Sequence, residues 1–151
     1  ANGDEHWCGA FAGFCLVSSG VRPEVVEVKD IPEVGDLAST YRLWHLANIM
    51  PGCLITHAPD LRPGDIASVG RVGKFRFGEH IVVTSSRPTP FDDASTFDTY
   101  EGTATGTGFG GLRYEGVVRR TRPVMPSSEN KGFLFGFRPH SGLYIGEHHA
   151  S

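Results

Sequence analysis

The sequence predicts an α+β domain, with helices near the amino terminus packed on an antiparallel sheet formed by the rest of the chain. Trp7, Phe11 and Phe14 recur at i, i+4 and i+7, the spacing of one helix face. Leu37, Tyr41 and Trp44 repeat that period further on. From Asp65 the period changes: five short apolar runs follow, divided by clusters of Gly, Pro, Asp and Ser. The 20 glycines and 10 prolines are what so many turns require.

Each element has its own signals. Asp4 and Glu5 stand where a cap and a first-turn acid belong, which places Cys8 in the first turn of a helix whose aromatic side is buried. Ser18-Ser19-Gly20 stops that helix, and residues 21–34 form an acidic, proline-containing connector. Gly35-Asp36 caps the second helix, and Met50-Pro51-Gly52 ends it. Residues 53–56 are apolar and compatible with a short strand, although a run of four does not separate strand from buried helix. Strands are expected at 66–69, 80–85, 97–101, 116–121 and 133–137. In the last of these, Phe133, Phe135 and Phe137 alternate, so one face is expected to be buried. Gly106-Thr107-Gly108-Phe109-Gly110-Gly111 has the spacing G-x-G-x-x-G, but a strand-like segment follows it. It therefore reads as a flexible hairpin loop and not as a nucleotide fingerprint.

A chain of 151 residues is naturally one domain, 1–151, large enough to bury a core. With 39% apolar and 21% charged residues it belongs to the globular class. A net charge of −3 argues against nucleic acid or an anionic membrane as the main partner. No apolar run approaches the roughly 18 residues of a membrane span, and no cleavable signal peptide is visible. Ala1-Asn2-Gly3 opens without methionine, as an excised domain or processed product does.

Cys8, Cys15 and Cys53 leave at least one thiol free in a monomer. Cys8 and Cys15 are about 10 Å apart along a helix axis, too far for a disulfide. Cys15 and Cys53 read as core residues. No C-x-x-C pair is present, and Asn2-Gly3-Asp4-Glu5 is at most a fragment of a calcium loop, so neither metal nor cofactor is expected.

The chemistry turns on Cys8. Unpaired N–H groups and the positive end of the helix dipole favour thiolate at a helix start, and a thiolate becomes a nucleophile when a base stands beside it. Against this, a cysteine among aromatics is usually a small buried hydrophobe. The candidate base is His80, at the opening of Gly78-Glu79-His80-Ile81-Val82-Val83, downstream of the turn Arg62-Pro63-Gly64-Asp65. His6 is a poor second. His45 reads as packed or exposed, His57 and His140 as loop residues, and His148-His149 as a solvated tail.

A helix-start Trp7-Cys8-x-x-Phe11, a later Pro63-Gly64-Asp65 before a strand, and a strand opening on His80 resemble the CHAP and NlpC/P60 superfamily. These are papain-like cysteine amidases and peptidases acting on bacterial peptidoglycan. The resemblance runs from about residue 4 to 123, leaving 124–151 as a C-terminal strand and tail. Residues 38–44, Ala-Ser-Thr-Tyr-Arg-Leu-Trp, are similar to the second family helix.

By resemblance the fold is papain-like and the catalytic set is Cys8, His80 and Glu101. Glu101 falls in the position of the family glutamate that orients histidine. The asparagine of that family segment falls on Thr103, a departure that replaces an amide with a hydroxyl. Trp7 would wall the site, with core anchor as its plainer role. Asp98 and a backbone carbonyl are the other candidate orienters, and a solvated strand-end acid is the plain reading of Glu101. The Cys8 N–H at the helix start is the expected oxyanion donor.

The implied activity is hydrolysis of a muramoyl–alanine amide or a peptide bond in the stem or cross-bridge. It would take place at the bacterial cell wall after export or phage delivery, with an immunity protein as partner if the chain is a toxin. The alternatives are a non-catalytic peptidoglycan-binding module of the same fold and a papain-like protease acting on protein.

Overall fold

The fully buried stripe of the first helix is made mostly of small residues. The computed structural model describes residues 3–22, 25, 40–49, 51–88, 95–105 and 113–145, with the backbone alone at 3–7, 10, 103–105 and 113–115. Helix α1 (Gly3–Ser18) packs on the sheet through Cys8, Ala12 and Leu16, the i, i+4, i+8 stripe, with Gly9 and Gly13 buried beside them. Of the expected aromatic side, Phe11 is half-buried and packs against this core, Phe14 is 68% exposed, and the side chain of Trp7 lies outside the described residues, so that side is not buried as a whole.

The expected stop at Ser18-Ser19-Gly20 holds, and its geometry is a Schellman motif. Gly20 takes φ +110, its N–H donates to the Val17 carbonyl, and the Val21 N–H donates to Leu16. Helix α2 (Thr40–Ala47) buries Leu43, Leu46 and Ala47. Tyr41 is half-exposed and Trp44 half-buried, while Leu37 and the expected cap Gly35-Asp36 lie outside the described residues, as does most of the 21–34 connector. Trp44 meets Phe135 edge-on at 5.0 Å, and Tyr41 meets His45 at 4.5 Å, which gives that exposed histidine a packing role.

Among the described residues one sheet of six strands forms: β1 (Leu54–Ile55), β2 (Ile66–Gly70), β3 (His80–Thr84), β4 (Thr96–Thr105), β5 (Arg113–Pro123) and β6 (Gly132–Phe137). Their order is β1-β6-β2-β3-β4-β5, and every neighbouring pair is antiparallel. With helices α1 and α2 among the described residues, this is a mixed α+β architecture. All the expected strands are present, and residues 53–56 do contain a strand, β1, paired to β6.

The β6 pattern departs from simple alternation. Its pairing with β2 slips between Ser68 and Val69, so that Ser68 opposes Phe135 while Val69 opposes Phe133. The extra residue shifts the side-chain period. Phe135 and Phe137 enter the core under the helices with Leu43, Ile66 and Ile81, and Phe133 enters a second core with Val69, Val82 and Phe97. Full burial of Phe137 in the first core and of Phe97 in the second contributes about 1.5–3 kcal/mol each, so both faces of the central strands supply stability. That accounts for β2, whose five residues are all buried.

Two ion pairs hold the strand ends. Asp65, buried at the start of β2, accepts from Arg138 Nε (2.8 Å) and Nη2 (2.6 Å) and from the Arg62 N–H (2.8 Å). Glu79 accepts from the Arg71 N–H and its guanidinium, closing the base of the loop that leads into β3. Among the described residues no helix is long and apolar enough to cross a membrane.

Candidate active site

His80 is the first residue of β3, where a strand side chain can reach beyond the sheet's own face. The register Val83↔Tyr100 and Thr84↔Thr99, with the two-residue period of strands, puts His80, Val82 and Thr84 on the same face as Thr99 and Glu101. His80 Nε2 lies 2.9 Å from Glu101 Oε1. On its other side His80 hydrogen-bonds the thiol of Cys8, carried across by α1, which packs on β3 and β4. The structure thus brings Cys8, His80 and Glu101 together.

Its proton arrangement follows from Glu101, which is fully buried inside β4 and is not a solvated strand-end acid. Oε1 meets His80 and Arg122 Nη2 (2.6 Å), and Oε2 accepts from Thr99 Oγ1 (2.6 Å) and Arg122 Nε (2.8 Å). About four lone-pair positions are available on a carboxylate, and all are used. Burial pushes the Glu101 carboxyl up, but Arg122, His80 and Thr99 outweigh it and hold the group well below the usual carboxylate range. An ionised carboxylate only accepts, so Nε2 carries the proton toward Glu101 and Nδ1 is the nitrogen left for the sulfur.

The other two groups shift in opposite directions, as an ion pair requires. Burial pushes the Cys8 thiol up, yet the hydrogen bond and charge of His80, with backbone bonds from Ile81 and Gly9, bring it below the ordinary thiol value. Burial pushes His80 down, yet hydrogen bonds to Cys8 and Glu101 and their charges raise it above the ordinary imidazole value. Both shifts favour thiolate beside imidazolium.

One part of the expected chemistry is corrected. α1 begins at Gly3, so Cys8 stands in its second turn with Asp4 and Glu5 inside the helix. The Cys8 N–H falls within the i→i−4 ladder and is not an orphan group, so it is no ready oxyanion donor. The helix dipole acts mainly within the first turn; Cys8 is activated instead by His80 and the Ile81 backbone. Asp98, the alternative orienter, is turned away from Glu101 by strand alternation and pairs with Arg119 (3.0 Å) and Thr121 (2.8 Å). The side chains of Trp7, Thr103 and His6 lie outside the described residues, as do the 106–111 loop and His148-His149.

Thr99 and Arg122 are members of this constellation that sequence reasoning missed. Thr99 was legible in principle, two residues before Glu101 on the same strand face. Arg122 was not, because only the β4–β5 register (Thr99↔Arg120, Phe97↔Arg122) brings it to Glu101. None of the three cysteines forms a disulfide, with Cys53 fully buried and Cys15 half-buried against the core. No group of three or more potential metal ligands occurs among the described residues.

The approach to His80 depends on Gly78, at φ +106. Its carbonyl accepts from Thr40 Oγ1 (2.9 Å), and an added Cβ would overlap Ser68 Oγ, which is itself bonded to the Phe77 carbonyl. Gly78→Ala is expected to lower stability by about 1–3 kcal/mol through strain at positive φ and to displace His80. Thermal denaturation checks the first part, and an unchanged melting temperature would contradict it. Comparison with protein-family models, curated proteins and solved structures finds no match to this chain.

Proposed function

We propose that this chain is a papain-like cysteine hydrolase of the CHAP and NlpC/P60 kind, cutting an amide or peptide bond of bacterial peptidoglycan at the cell wall. The observation that carries the hydrolase reading is the Cys8–His80–Glu101 set, with Nε2 held by a buried carboxylate and the thiol on the other side of the ring. The wall substrate rests on the sequence resemblance and on the α+β order of helix-borne cysteine and strand-borne histidine.

In this mechanism the Cys8 thiolate attacks the amide carbonyl carbon, and the C–N bond breaks as His80 gives its proton to the departing amine. Water then attacks the thioester, His80 takes a proton from it, and the C–S bond breaks to release the acid and restore the thiolate–imidazolium pair. Glu101 stays ionised throughout and holds the ring in place.

The test is to incubate the chain with purified peptidoglycan and weigh the soluble products by mass spectrometry, beside Cys8→Ala. Defined fragments from the wild type and none from Cys8→Ala are expected, and their masses identify the bond. Wild-type protein that sediments with the wall and releases nothing would favour a binding module. Equal release from Cys8→Ala would remove the cysteine mechanism.

A further inference from the structure

We propose that Arg122 is a positioning residue of the Cys8–His80–Glu101 site: its guanidinium fork fixes the carboxylate orientation that His80 needs, and its charge limits how firmly Glu101 holds the imidazolium. This rests on the reading above that His80 acts on Cys8.

The geometry carries the argument. Arg122 engages both oxygens of Glu101 through Nε and Nη2, the two-pronged contact that fixes the plane of a carboxylate. Its side chain is 18% exposed, against 49% for Arg120, whose Nε stands 3.4 Å from Oε1. Oε1 is therefore shared: His80 and Arg122 both donate to the same oxygen. A fork that only stabilised the fold would not need to meet the oxygen that orients the histidine.

Two consequences of opposite kind follow. The fork constrains geometry, because without it Glu101 retains, among the described residues, only Thr99 and His80 as close donors, with Arg120 at the edge, and can turn about its last torsion. The charge competes with the imidazolium for the carboxylate, because two cations converge on one anion. Among the described residues, the charged or titratable groups around this site are Arg120 and Arg122 from β5, His80 from β3 and, through His80, Cys8 from α1. Asp98 and Arg119 pair on the opposite face.

The two consequences separate experimentally in Arg122→Gln, which loses both fork and charge, and Arg122→Lys, which keeps the charge and loses the fork. Ring-¹⁵N histidine NMR across pH reads the His80 protonation midpoint and the tautomer of its neutral form, with His80→Ala to assign the signal. Wild type is expected to show the Nε2–H tautomer. Arg122→Gln is expected to raise the midpoint by about one pH unit and to mix the tautomers. Arg122→Lys is expected to mix the tautomers while leaving the midpoint near wild type.

A midpoint and tautomer unchanged in both variants would overturn the proposal and leave Arg122 a structural ion pair. If Arg122→Gln does not fold, an unchanged tautomer in Arg122→Lys overturns it alone. Failure of the underlying reading looks different: wild-type His80 would then titrate identically with and without Cys8→Ser, whatever residue 122 is.

Discussion

His80→Ala is expected to slow release of wall fragments by about 10²–10⁴-fold and, independently of substrate, to shift the pH dependence of Cys8 alkylation upward. The sign follows from the balance at the sulfur. Burial raises the thiol pKa; the hydrogen bond and charge of His80 are the largest opposing effects, and the Ile81 and Gly9 backbone bonds are smaller. In wild type the reactive thiolate therefore persists below the ordinary thiol value of 9.0 and is lost only as pH falls through the lowered one. Removing the imidazole leaves burial opposed by backbone bonds alone, so the thiolate forms at higher pH. Iodoacetamide labelling followed by mass analysis of the Cys8 peptide measures this and separates Cys8 from half-buried Cys15 and buried Cys53. Superimposable profiles for wild type and His80→Ala would show that the two groups are not coupled.

The second large effect is on stability. Asp65→Ala is expected to cost about 2–4 kcal/mol, about 1 kcal/mol under the range for breaking a fully buried pair, because Arg138 keeps 32% of its side chain in solvent. The loss has two sources. Arg138 loses both prongs of its contact, and the Arg62 N–H loses the acceptor that closes the turn. The same turn is tied to the end of β3, where Gly64 donates to the Thr84 carbonyl and Thr84 donates to Asp65. A drop in melting temperature of about 5–15 °C is the expected reading for a domain of this size, with Asp65→Asn between wild type and Ala because it keeps one acceptor. A change under about 1 °C would show that this pair contributes nothing net. On this account the aspartate of Pro63-Gly64-Asp65 is there for the fold and not for the chemistry.

Local patterns in the chain determined the element order, the strand positions, the Gly20 stop and the candidate pair Cys8 and His80. These depend on interactions within a few residues: helix period, strand period and the backbone freedom of glycine. The faces chosen by the helices were not legible in the same way. Phe11 and Phe14 carry the strong periodic signal, yet Phe14 stays in solvent and the stripe Cys8–Ala12–Leu16 is the one fully buried, because which helix face is covered is decided by the partner surface. Likewise the alternation Phe133–Phe135–Phe137 is plain in sequence, but a bulge set by pairing with β2 divides those rings between two cores. Glu101 was reached by resemblance; its burial, its four hydrogen bonds and the choice of Nε2–H came only from tertiary structure. Arg122 shows why most clearly. It lies 21 residues from Glu101, and no local rule joins them, because the antiparallel register of β4 and β5 is decided by the whole sheet and sets which side chains share a face.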